Sequence, residues 1–408
     1  MSFPIFPKAV MILLVGMLLV LPGEAQTYTV LYSFTGGTDG AMPVGGVILD
    51  AAGNLYGTTF GLGSLGFGDQ LGTVFELSPD GNFTLLHSFG PDSPGGEDPM
   101  ATLVRDSAGN LYGTTTNGGL NYGTVFKVDN EGNFSLLYSF TGQSDGYYPS
   151  APVTLDPAGN LYGTTEFGGS LTCDMMLGCG VVYEVDTQGE ETVLLEFSKP
   201  KSGDFPDAGL IRDAAGNLYG TTVHGGQAGN GGTVFKLDPA GNETVLYSFR
   251  KETDGRLPEA PLIVDAAGNF YGTTMKGGSG KTHSGTVFKL DPQGNETVLY
   301  SFTGGSDGGL PVSGLVMGSA GNLYGTTPWG GVNDCEGVGC GVVFKVDPAG
   351  HQTVLHAFTG GTDGWSPQAG LAIDANGNLY GTAIYGGNLG DCPKLPGGGC
   401  GVVFKITP

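Results

Sequence analysis

Gly53-Asn54-Leu55-Tyr56-Gly57-Thr58-Thr59 is the stretch on which the fold turns. It recurs, with at most one change per copy, from Gly109, Gly159, Gly216, Gly268, Gly321 and Gly377, so seven copies stand 50 to 57 residues apart. Self-similarity at a period of that length signals a solenoid or a propeller.

Around each copy the unit resolves into four short strands, clearest between Pro261 and Phe302. Leu262-Ile263-Val264 runs into the turn Asp265-Ala266-Ala267-Gly268-Asn269, and Phe270 to Thr274 follows, rich in aromatic and β-branched residues. After a longer loop come Gly285 to Leu290, the turn Asp291-Pro292-Gln293-Gly294-Asn295, and Glu296 to Phe302. No segment keeps a helical period over ten residues, so the class is all-β. The Asp-x-x-Gly-Asn turns, present also at Asp50, Asp213, Asp238 and Asp374, are hairpin chemistry: Asp bonds the backbone two residues on, and Gly takes the positive φ that closes the loop. A calcium loop needs oxygen ligands at alternating positions, which one acid per turn does not supply. The sequons at Asn82, Asn133, Asn242 and Asn295 fall on the same turns and read as turn chemistry.

The two ends decide between solenoid and ring. Tyr28 to Phe34 is a fourth strand with no blade of its own, and the last unit stops at its third strand, Gly401 to Pro408. Pairing Tyr28–Phe34 with Val402–Ile406 completes that unit and closes a circle, whereas an open stack calls for polar capping repeats. The expected architecture is a seven-bladed β-propeller of four-stranded blades over 26–408, its last blade closed by the N-terminal strand.

The Gly-Asn-Leu-Tyr-Gly-Thr-Thr, Gly-Thr-Val-Phe-Lys-Leu-Asp-Pro and Thr-Val-Leu-Tyr-Ser-Phe blocks resemble the GloVer tandem-repeat proteins, exported bacterial proteins whose repeats precede varied surface anchors, over nearly all of 27–408. The resemblance implies export and bacterial origin but no catalytic residues, and no anchor is visible after Pro408. A looser likeness to NHL-type propellers, through Gly314-Leu315-Val316 running into Gly321-Asn322-Leu323-Tyr324, supports the strand order.

Residues 1–25 read as a secretory signal: Lys8, an apolar run from Ala9 to Leu21, then Gly23-Glu24-Ala25 with cleavage expected after Ala25. The run is shorter than the roughly 20 residues of a spanning helix, so no membrane association is expected after cleavage. Localisation is then secreted or periplasmic. The net charge of −23 repels nucleic acid, so no nucleic-acid partner is expected. A monomer is expected.

In a propeller the second-to-third-strand loops and the linkers between units share one face, and here these are the segments that vary. Function is expected on that face. All six cysteines fall there, as Cys173 with Cys179, Cys335 with Cys340 and Cys392 with Cys400, each pair inside one loop; local disulfides are the expectation and a zinc site the alternative. Just after the linker proline stand Val44, Met100, Ser150, Asp207, Glu259, Val312 and Gln368, each followed by a small residue that a crowded axis demands. Asp207, Glu259 and Gln368 break this mostly apolar series and are candidate ligand contacts. His224, Trp329, Trp365 and Tyr385 are the other candidates, with Phe167, Tyr147 and Tyr148 also on variable loops; exposed aromatics beside acids suit a glycan or a protein surface, and packing of these rings between neighbouring loops is the structural alternative. The linker Asp-Gly pairs at Asp39, Asp145, Asp254, Asp307 and Asp363 read as turns, with a cation-attracting ring as the alternative. The leading reading is an extracytoplasmic binding or scaffold propeller engaging a protein or carbohydrate. The alternative is a propeller lyase or hydrolase using Asp207 and Glu259, with calcium at the channel mouth as a cofactor option. No catalytic motif appears, and no cofactor is assigned.

Overall fold

Each Gly-Asn-Leu-Tyr-Gly-Thr-Thr copy forms the second strand of a four-stranded antiparallel sheet, and seven such sheets are arranged in a ring. The computed structural model describes residues 26–62, 71–90, 95–170, 173, 177–198, 202–227, 229–250, 253–331 and 335–407; the expected signal segment, 1–25, lies outside the described residues. Blade 1 comprises Ile48–Leu49, Leu55–Thr59, Thr73–Leu77 and Phe83–Ser88, from the axis outward, and blades 2 to 6 repeat that order. Blade 7 is composite. Its strands Ala372–Ile373, Leu379–Ala383 and Val402–Thr407 are completed by Thr27–Ser33, with Thr27 opposite Thr407 and Ser33 opposite Val402. The N-terminal strand therefore closes the ring as the split repeat predicts.

The repeated residues explain the geometry one position at a time. The first threonine of each copy donates to the segment that leads into the inner strand of the next blade: Thr114 to the Ala151 carbonyl at 3.2 Å, Thr326 to that of Ala369 at 2.9 Å, and Thr382 of blade 7 to that of Gly45, ahead of blade 1, at 3.1 Å. The glycine before it makes room for an aromatic ring of the third strand. A Cβ on Gly57 would lie 2.7 Å from Phe75 Cζ. That ring meets, edge-on, a phenylalanine at the end of the preceding blade's outer strand. The seven pairs, from Phe34–Phe75 at 5.3 Å to Phe358–Phe404 at 5.4 Å, cross at 66° to 73° and are fully buried. Such contacts contribute about 0.5–1.5 kcal/mol each beyond the apolar area they bury. The core is thus a belt of inter-blade seams.

The tight turns are locked by their aspartates. Asp50 Oδ1 accepts from the Ala52 and Asn54 amides, both at 2.9 Å, and its Oδ2 accepts from Asn54 Nδ2 and the Tyr56 hydroxyl. The linker aspartates are locked in the same way: Asp145 accepts from the Tyr138 and Thr141 hydroxyls and the Thr141 amide, at 2.7 to 3.0 Å. These carboxylates are occupied in holding the chain, which is the turn reading of the Asp-Gly pairs.

All three disulfides are local, Cys173–Cys179, Cys335–Cys340 and Cys392–Cys400, with Cα separations of 5.2 to 5.3 Å. Among the described residues no helix is long and apolar enough to cross a membrane.

Candidate ligand site at the channel mouth

The ring encloses a central cavity of about 550 Å³ lined by Val44, Met100, Ser150, Asp207, Glu259, Val312 and Gln368, one from each blade entry. The residue before the proline of each linker sets this lining. Met42, Asp98, Tyr148, Phe205, Leu257, Leu310 and Ser366 all hold φ between 56° and 62°, a left-handed conformation that costs non-glycine residues free energy and persists only where the surroundings impose it. Here they do. The amide of each donates to the loop before the third strand, as Tyr148 to the Tyr122 carbonyl at 3.1 Å and Phe205 to that of Cys179 at 3.0 Å. The carbonyl in turn accepts from the end of the second strand, as Tyr148 from the Glu166 amide at 3.2 Å.

One step outward, backbone bridges pair a linker residue with a residue following the second strand: Glu97 with Asn117, Tyr147 with Phe167, Asp204 with His224, Arg256 with Lys276, Gly309 with Trp329, and Trp365 with Tyr385. The rim therefore changes chemistry from blade to blade on a constant backbone.

Two features converge over blades 2 to 5. The first is an unbroken run of rings: Tyr122 against Tyr147 at 5.8 Å, Tyr147 stacked on Phe167 at 5.2 Å, Phe167 edge-on to Phe205 at 5.5 Å, and Phe205 edge-on to His224 at 5.6 Å. The second is a trio of carboxyls, Glu166, Asp207 and Glu259. Burial, then the charges of Asp207 and Glu259, push Glu166 up to about 8. Burial and Asp207 raise Glu259 to about 7 against the opposing pull of Lys276. Burial raises Asp207 to about 6, while the hydroxyl of Ser150, donating to its Oδ1, pulls the other way. Carboxyls raised in this way can hold a proton near neutral pH, and a protonated carboxyl both donates and accepts hydrogen bonds.

The predicted contacts are thereby distributed. Asp207, Glu259 and Gln368 line the cavity, and Gln368 Nε2 bonds the Ser366 hydroxyl at 3.2 Å. His224 ends the aromatic run. Trp329, 46% exposed, stands on the rim of blade 6, away from the trio. Trp365, 7% exposed, is packed against Tyr385 at 5.3 Å inside the junction of blades 6 and 7. It is a core residue, because its linker bridge turns the indole under the rim. Sequence reasoning passed over Glu166, which follows a Thr-Thr pair like any loop residue; the signal was its place two residues ahead of a glycine pair in the one unit where an acid occupies it. Among the described residues no three His, Cys, Asp or Glu side chains converge as a metal cage.

A sequence profile described as Gloeobacter/Verrucomicrobia repeat matches residues 15–177, 157–338 and 305–408. No curated protein matches the chain. Among solved structures, a fungal alcohol oxidase in complex with copper is 16% identical with a TM-score of 0.57, over 94% of this chain and 77% of that one. The extracellular domain of a one-component system from B. thetaiotaomicron is 10% identical with a TM-score of 0.54, over 93% of this chain and 40% of that one. A gluconolactonase from Xanthomonas campestris is 14% identical with a TM-score of 0.42, over 74% and 82%. At these identities the first two likenesses concern the fold alone.

Proposed function

This chain belongs to the Gloeobacter/Verrucomicrobia repeat family, and from that premise we propose that it is a secreted or periplasmic binding propeller that takes a carbohydrate at the mouth of its channel. The observation that carries the reading is the run Tyr147–Phe167–Phe205–His224 standing beside Glu166, Asp207 and Glu259. Sugars present an apolar C–H face and an equatorial fringe of hydroxyls; aromatic rings serve the first, and carboxyls that both donate and accept serve the second. Three disulfides support an oxidising compartment. The test is a glycan array probed with the wild type and with Phe167→Ala. Binding that falls at least tenfold in the variant, with an unchanged melting temperature, supports the site; equal binding, or no glycan bound, overturns it.

A second reading has its own observation. Asp207 and Glu259 line one cavity beside Glu166, and burial raises all three carboxyls, so one of them can stay protonated as an acid near neutral pH while another serves as base. Product release from an array hit, abolished by Glu259→Gln, would favour a hydrolase over a binder.

A further inference from the structure

Away from the channel mouth, each blade junction must satisfy one backbone carbonyl, that of the linker residue before the glycine of the Asp-Gly position. In blades 1, 2 and 4 the threonine that begins the third strand supplies the hydrogen: Thr73 to the Asp39 carbonyl at 3.4 Å, Thr124 to Gly95 at 2.9 Å, Thr233 to Ser202 at 3.2 Å. Blades 3, 6 and 7 begin that strand with Val181, Val342 and Val402 instead. In blades 6 and 7 the donor comes from the outer strand: Gln352 Nε2 reaches the Asp307 carbonyl at 3.1 Å, and the Tyr28 hydroxyl reaches that of Asp363 at 2.5 Å. Gln352 is opposite Val346 and Tyr28 opposite Ile406, the same register position. In blade 3 that position, opposite Val185, is Glu191.

A carboxylate there has nothing to donate. Glu191 Oε1 is buried without a hydrogen-bond partner, and the titratable groups facing it are the Asp145 carboxyl on the linker and the phenols of Tyr138 in blade 2 and Tyr183 in its own blade, with Glu190 adjacent. None is a cation. We infer that Glu191 is held as the neutral acid and donates its proton to the Asp145 carbonyl, so that the junction of blades 2 and 3 is fastened by a proton which the junctions of blades 5–6 and 6–7 replace with an amide and a phenol.

Burial, then the Asp145 charge, raises Glu191 from 4.5 to about 7, in keeping with that seat. A group whose value is raised on folding contributes stability that is complete below its unfolded value and is lost as pH rises through the folded one. This junction is therefore tightest below about pH 4.5 and loosens toward pH 7 and above. Glu243 and Glu296 occupy the same register position in blades 4 and 5, each with an Oε1 buried without a partner; in blade 4 Thr233 already serves the Ser202 carbonyl, and in blade 5 Arg250 beside Glu296 opposes the rise that burial causes.

The experiment is thermal unfolding of the full chain, disulfides intact, at pH 4.5 and pH 8, for wild type, Glu191→Gln and the reciprocal Gln352→Glu. Glu191→Gln carries a permanent donor, so its midpoint should exceed wild type by roughly 1–2 °C at pH 8 and match it at pH 4.5, a scale set by unfolding entropies for chains of this size. Gln352→Glu should show the opposite, a deficit at pH 8 that disappears at pH 4.5. Carbon-detected NMR on the wild type should find the Glu191 carboxyl titrating near 7. A Glu191→Gln midpoint that tracks or falls below wild type at pH 8, a Gln352→Glu deficit independent of pH, or a Glu191 resonance titrating near 4.5 would overturn the assignment.

Discussion

Tyr28 lies flat on His356, ring centroids 3.7 Å apart and planes within 10°, and its hydroxyl bonds the Asp363 carbonyl. The first residue pair of the ring and the last are thus joined by a stack, a hydrogen bond and the strand pairing that runs from Thr27 to Ser33. Tyr28→Ala removes stack and bond together, and urea unfolding should show a loss of about 2–4 kcal/mol. Tyr28→Phe keeps the stack and should lose only about 1 kcal/mol.

Gly325 marks how closely the blades are layered. A Cβ there would sit 2.8 Å from Phe344 Cζ and 3.0 Å from Leu315 Cδ2, both in the core. Gly325→Ala should destabilise by about 1–3 kcal/mol, the usual cost of overfilling a packed interior. The check is a denaturant midpoint for the purified variant.

The Cys335–Cys340 bridge presses on a neighbouring linker: a Cβ on Gly360 would lie 2.3 Å from Cys335 Sγ. Replacing both cysteines with serine should lower stability by no more than about 2–3 kcal/mol, because the closed loop is short. Calorimetry checks the size, and non-reducing peptide mapping should recover Cys173 with Cys179 on one fragment.

The turn aspartates oppose Glu191 in sign. Burial nudges the Asp265 carboxyl up, but hydrogen bonds from Asn269, Tyr271 and Ala267 outweigh it and hold it below the usual carboxylate value. Its contribution is present above the unfolded value, near 3.9, and is lost as pH falls through the folded one. The melting gap between wild type and Asp265→Asn should be widest above pH 5 and close toward pH 2.

Glycan affinity should follow the carboxyls at the mouth. With Glu166 raised to about 8 and Glu259 to about 7, binding that uses them as donors weakens as pH rises through 7 to 8.5. Glu166→Gln and Glu259→Gln retain a donor and should flatten the profile in titration calorimetry.

The fold was legible because each recurring residue has one physical task. Gly57 clears a ring, Thr58 reaches the next blade, Asp50 ties a turn, and the orphan strand before Gly36 has only one place to pair. The mouth was legible in part. Asp207, Glu259 and Gln368 stood out because they interrupt an apolar series at a fixed offset from proline. Glu166 and the ring run did not, since their neighbours come from different blades and loop lengths hide which side chains meet. For Trp365 the sequence left surface contact and packing between loops both open, since a loop position says nothing of whether the indole turns outward or under the rim, and packing is what the structure has.

The bridges at the rim, from Glu97–Asn117 to Trp365–Tyr385, are made by backbone atoms alone. Exposed side chains at these positions can be exchanged without disturbing the backbone bonds that hold them in place, much as characters are swapped in a fixed row of type. The rim's chemistry can therefore vary on a constant backbone wherever the side chain faces solvent, as at Trp329, while packed positions such as Trp365 stay tied to the core.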